Sequence, residues 1–149
     1  MTQTPYLVTN DILIPEMARI LADGKEVIFT PSGTSMRPWI EGDCDTVSLI
    51  KKTTCRVGDI VLARIPLKAS KCAYVLHRVI AVDGKDVTLM GDGNLVGVEH
   101  CTTDDIFGTV VRITSPHGWR KPVTRGRLWR VLLPKRSFLL KIYRHLPRI

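Results

Sequence analysis

A serine hydroxyl is a poor nucleophile until a neighbouring base takes its proton. Ser35, in the stretch TPSGTSMRPW from Thr30 to Trp39, therefore raises the question of its base. The stretch opens on turn formers, and Pro38 stops any regular element from running on. Four histidines are available: His77, His100, His117 and His145. His145 lies in the C-terminal tail and His117 in a Pro/Gly connector, so neither sits on a rigid element. His77 lies within AYVLHRVIAV, where period-2 alternation puts it on one strand face with Val75, Val79 and Ala81. An imidazole there either finds a partner or stays neutral, and both states suit a general base near neutral pH. The plainer alternatives are a turn serine and a histidine hydrogen-bonded beneath a loop.

The elements that must position these side chains are short. Asn10 or Asp11 can cap a helix whose apolar positions Ile12, Leu13, Met17, Ile20 and Leu21 keep helical spacing until Gly24. Beyond it, Glu26–Thr30, Thr46–Ile50, Asp59–Ile65, Tyr74–Val82, Val87–Met90 and Ile106–Ile113 are rich in β-branched residues. Turn-like pairs such as Ser32-Gly33, Gly42-Asp43, Gly58-Asp59, Asp83-Gly84 and Asp92-Gly93 separate them. Six short strands predict a mainly β fold, a small barrel or sandwich with mostly antiparallel pairing. The 149 residues divide into a β domain over 1–115 and a tail over 116–149. In the tail, RLWRVLL and KRSFLLKIYRHLPRI read as two short helices broken at Pro134.

Taken in order, G-T-S-M-R-P (33–38), G-D (42–43), G-D-I-V (58–61), H-R-V-I (77–80) and G-D-G-N (91–94) form a series that resembles the type I signal peptidases. More loosely, it resembles the self-cleaving domain of LexA-type repressors. The likeness covers about Val27 to Ile113 and implies the small β-barrel peptidase fold of those families. Most bacterial members carry a lysine where His77 stands, so this chain looks like the Ser-His variant. The resemblance implies Ser35 as nucleophile, His77 as general base and Asp92 as the acid that orients the ring, with Glu99 and Asp104 as alternatives. It also implies that Gly33, Thr34, Met36 and Pro38 shape the oxyanion site and the groove where an extended substrate lies. The Ser35 N–H is the natural oxyanion donor. Met36 as core filler, Pro38 as turn exit and Asp92 as an Asx turn are the bland counterparts.

Charge is unevenly distributed. From Ile106 to Ile149 there are eleven Lys and Arg and no Asp or Glu; with +8 for the whole chain, residues 1–105 carry −3. In the last helix Phe138, Leu139, Ile142 and Leu146 fall on one side, and Lys141, Arg144, His145 and Arg148 on the other. Such a basic amphipathic segment suits an anionic membrane surface, with Arg127, Arg130, Lys135, Arg136, Lys141 and Arg144 as the contacts. Nucleic acid is not an expected partner, because no helix-turn-helix or stacking platform accompanies the charge. The sequence has no apolar run long enough to span a bilayer, and MTQTPYLVTNDILIPEM does not have the form of a secretory signal. Cys44, Cys55, Cys72 and Cys101 have no C-x-x-C spacing and read as reduced thiols. The expected setting is therefore the cytoplasm or the inner membrane surface, with no metal and no cofactor.

The sequence thus predicts a serine endopeptidase acting on a peptide or protein precursor. Its competitor is a non-catalytic β domain that binds a peptide or a membrane. The repressor reading is expected to fare worse, since only about thirty residues precede the serine turn, too few for a DNA-binding domain plus linker.

Overall fold

The computed structural model describes residues 10–123 together with Phe138, Lys141, Ile142 and His145. Helix α1 (Asn10–Ala22) buries Ile14, Met17 and Leu21, an i, i+3, i+7 stripe that docks on the sheet. Each such side chain, once buried, contributes about 1.5–3 kcal/mol. The buried stripe differs from the expected one at its start, because Ile12 and Leu13 are exposed. At the other end Gly24, with φ +80°, lets the chain reverse. The Gly24 N–H then donates to the Leu21 carbonyl and the Lys25 N–H to the Ile20 carbonyl, which satisfies two orphan carbonyls of the last turn.

Eight strands follow: β1 (Val27–Phe29), β2 (Thr46–Ile50), β3 (Ile60–Pro66), β4 (Cys72–Asp83), β5 (Asp86–Met90), β6 (Glu99–Thr102), β7 (Ile106–Ser115) and β8 (Gly118–Arg120). They form one antiparallel sheet in the order β1-β2-β7-β3-β4-β5-β6, with β8 paired to the end of β7. The sheet does not close on itself through hydrogen bonds: β1 and β6 stand at its two ends. It nevertheless rolls, since β6 lies close to β3 without hydrogen-bonding to it.

The roll has a reason in the sequence of β3, IVLARIP, which is apolar on both faces over its first residues. Ile60 and Leu62 enter a core with α1, Val47, Leu49, Val110 and Ile113. Val61, Ala63 and Ile65 enter a second core with Val79, Val87, Leu89, Cys101 and Ile106. A strand buried on both sides needs cover on both, and the helix and the rolled β5–β6 pair supply it. The sheet continues beyond Ser115. The chain turns and returns through β8, where Trp119 packs its ring against the Arg112 guanidinium, 5.1 Å from the ring centre.

Candidate active site

Ser35 lies in the loop between β1 and β2, and His77 lies on β4. A cleft of about 180 Å³ runs between them, walled by Ser35, Met36 and Ile40 on one side and Tyr74, Leu76 and His77 on the other. Gly33 also lines it, whereas Thr34 and Pro38 do not. The sequence therefore brings Ser35 and His77 to one cavity from segments about forty residues apart.

The serine loop is held by backbone contacts that only glycine permits. A Cβ on Gly42 would sit 2.0 Å from the Gly33 carbonyl oxygen, so the loop closes through a glycine pair. The Asp43 N–H donates to the Pro31 carbonyl at 2.7 Å across the same neck. On its other flank the Gly91–Asn94 turn presses against the loop. The Gly93 N–H donates to the Ser35 carbonyl at 2.7 Å, and a Cβ on Gly93 would lie 2.5 Å from the Thr34 carbonyl. Within the loop the N–H groups of Trp39 and Ile40 both donate to the Met36 carbonyl, and Arg37 pairs with Glu41. Met36 is buried in the α1-side core, so its expected filler role and its place on the cleft wall coexist. Pro38 is exposed and follows a cis peptide. The Ser35 N–H has no hydrogen-bond partner among the described residues. That leaves a backbone donor beside the serine oxygen, as an oxyanion site requires.

His77 is buried, and its Nδ1 lies 3.0 Å from Oε2 of Glu99 at the start of β6. Asp92, expected to orient the ring, does something else. Both its carboxylate oxygens accept from Arg78, from Nε at 2.8 Å and from Nη2 at 2.7 Å, in a pair with side chains 2% and 1% exposed. The alternation of β4 explains the exchange: His77 and Arg78 point to opposite faces, and the glycine-bracketed turn lies on the arginine's side. Asp104 is 81% exposed and 3.9 Å from Lys85, so of the three acids Glu99 is the one at the ring. Arg78 also donates through Nη1 to the carbonyls of Gly58 and Val123, at 2.7 and 2.6 Å. It is the centre of a buried network that the motif reading did not single out. The signal for it was one charged residue inside the apolar run YVLHRVIAV.

The other histidines lie elsewhere. His100 is exposed near Thr88, His117 is exposed beside the β7–β8 turn, and His145 Nδ1 meets the Lys141 carbonyl in the tail helix. Among the described residues, Ser35 Oγ and the His77 ring share the cleft without a hydrogen bond between them. No group of three or more His, Cys, Asp or Glu side chains there is placed to hold a metal ion. Arg127, Arg130, Lys135, Arg136 and Arg144 fall outside the described residues; Lys141 is exposed on a helical segment with Phe138 and Ile142. No helix among the described residues is long and apolar enough to cross a membrane. In comparisons with known proteins, no family model and no curated protein matches the chain.

Proposed function

We propose that this chain is a serine endopeptidase of the signal-peptidase-like type, with Ser35 as nucleophile, His77 as general base and Glu99 as the orienting acid. The observation that carries the reading is the arrangement around one imidazole: the cleft with Ser35 on one side and a carboxylate on Nδ1. A carboxylate at Nδ1 favours the tautomer with the proton there and leaves the Nε2 lone pair to accept one. Ser35 Oγ attacks the scissile carbonyl carbon as its proton passes to Nε2. The oxyanion forms against the Ser35 N–H, and the imidazolium is balanced by Glu99. The imidazolium then protonates the leaving amine, and an ester on Ser35 remains. Water, deprotonated by the same ring, hydrolyses that ester and frees the enzyme.

Strand register supports an extended peptide as substrate. β4 pairs with β3 from Cys72 to Arg78 but with β5 only from Arg78 onward. Among the described residues, the other edge of Cys72–Leu76 therefore has no strand partner, and it borders the cleft. A peptide laid there as an added strand gains backbone hydrogen bonds, and its side chain enters a cavity walled by Met36, Ile40 and Leu76.

The test is covalent. A fluorophosphonate probe forms a phosphorus–oxygen bond at an activated serine and expels fluoride. Peptide mapping is expected to place the adduct on Ser35 in the wild type, with none in Ser35→Ala and a severe loss of rate in His77→Ala. Labelling of His77→Ala at the wild-type rate removes the dyad. The competing reading, a peptide-binding domain without catalysis, draws on the absence of an Oγ–ring hydrogen bond; an unlabelled wild type favours it.

The basic tail is the proposed peripheral membrane contact. Phe138 and Ile142 are 66% and 46% exposed, and Lys141 is exposed beside them. Anionic vesicles at low salt are expected to sediment the protein, and salt to release it. Failure to sediment ends that part of the proposal.

A further inference from the structure

The segment Gly118–Val123 follows the site in sequence and touches both of the segments that build it. Arg120, the last residue of β8, donates from Nη2 to the Trp39 carbonyl at 2.6 Å. The same nitrogen lies 3.3 Å from Oδ2 of Asp45, a buried carboxylate that also accepts the Glu41 N–H at 2.9 Å. Trp39 is four residues beyond Ser35, and Asp45 closes the loop before β2. Three residues after Arg120, the Val123 carbonyl accepts Arg78 Nη1 at 2.6 Å. Arg78 adjoins His77, and its partner Asp92 sits in the turn whose Gly93 N–H holds the Ser35 carbonyl.

We propose that Gly118–Val123 is a strap that sets the spacing between the serine loop and the histidine strand, with Arg120 as its positioning residue. No residue of the strap lines the cleft itself. Arg120 holds the exit of the serine loop, just as Gly93 holds its middle and the Gly33–Gly42 contact its neck. Val123 reaches the same assembly from the other side, through Arg78. The strap's bearing on catalysis rests on the peptidase reading; its hold on the loop does not.

The experiment compares wild type, Arg120→Gln and Arg120→Lys in the full chain by amide hydrogen exchange and by fluorophosphonate labelling. In Arg120→Gln the amides of Trp39 and Ile40 are expected to exchange at least tenfold faster while those of β3 and β4 keep their protection. Labelling of Ser35 is expected to slow at least tenfold, and Arg120→Lys, which returns a cation to Asp45 and the Trp39 carbonyl, is expected to recover most of both effects. Unchanged exchange at Trp39 and Ile40, or protection lost throughout the sheet, overturns the strap. Failure of the lysine variant to recover either effect also overturns it. If the wild type resists the probe while loop exchange responds as expected, the peptidase reading falls and the strap's hold on the loop stands.

Discussion

At the scale of single residues, the three acids near the site separate by what each touches. Glu99 meets the imidazole, Asp92 meets a buried guanidinium, and Asp104 faces Lys85 at the exposed surface. Glu99→Gln keeps the shape but removes the charge that balances an imidazolium. The expected loss in the Ser35 labelling rate is about a hundredfold or more, with little change in melting temperature. Asp92→Asn is expected to act the other way round. It leaves Arg78 buried without its counter-charge, a change that costs about 3–5 kcal/mol for such pairs, so thermal or urea unfolding reports it first. Asp104→Asn is expected to alter neither. If Asp92→Asn spares stability and Glu99→Gln spares the rate, the roles assigned to the two acids are wrong.

At the scale of elements, the loops decide whether the residues meet. Gly93→Ala would push a methyl carbon to 2.5 Å from the Thr34 carbonyl, and backbone cannot yield as a side-chain tip does. The turn must back away from the Ser35 loop, at a cost of about 1–3 kcal/mol. Labelling is expected to slow together with a fall in the unfolding midpoint. The sequence made much of this level legible. Thr46–Ile50 was read at its observed bounds, and five other strands lie within two residues of theirs at each end, since β-branched runs between turn pairs leave few alternatives. β6 was not legible because Glu-His-Cys-Thr has no apolar alternation; it is a strand because β5 pairs with it. β8 is three residues long and rests on β7 and on the Trp119–Arg112 contact. Those two strands carry Glu99 and Arg120. The third acid and the strap were therefore the parts that motif order alone could not place. The Arg78–Asp92 pair was hidden for another reason: which face of a strand a turn will cover is a tertiary fact.

At the scale of the whole molecule, stability and chemistry are held by different groups. Asp105 is buried below the β6–β7 turn. Burial pushes its carboxyl up, but the Thr102 N–H, the Arg64 guanidinium and the Thr102 hydroxyl together outweigh that and hold it below the usual aspartate range. A carboxyl depressed in the folded state stabilises above its unfolded pKa, near ~4, and that stabilisation is lost as pH falls toward the folded value. The gap in melting temperature between wild type and Asp105→Asn is expected to be widest near neutrality and to shrink below about pH 4. A gap that widens on acidification contradicts this. Thiol accessibility tests the packing of the two cores. Burial pushes both Cys55 and Cys101 up to about 11, whereas Cys44 and Cys72 are exposed. Iodoacetamide near pH 8 is expected to modify Cys44 and Cys72 well before the other pair. The central claim, though, is that this framework makes Ser35 cut peptides. The most direct measurement is to incubate the full chain with a proteome-derived peptide library and read the new termini by mass spectrometry, with Ser35→Ala in parallel. New termini are expected from the wild type and none from Ser35→Ala. Equal cleavage by both, or by neither, would contradict it.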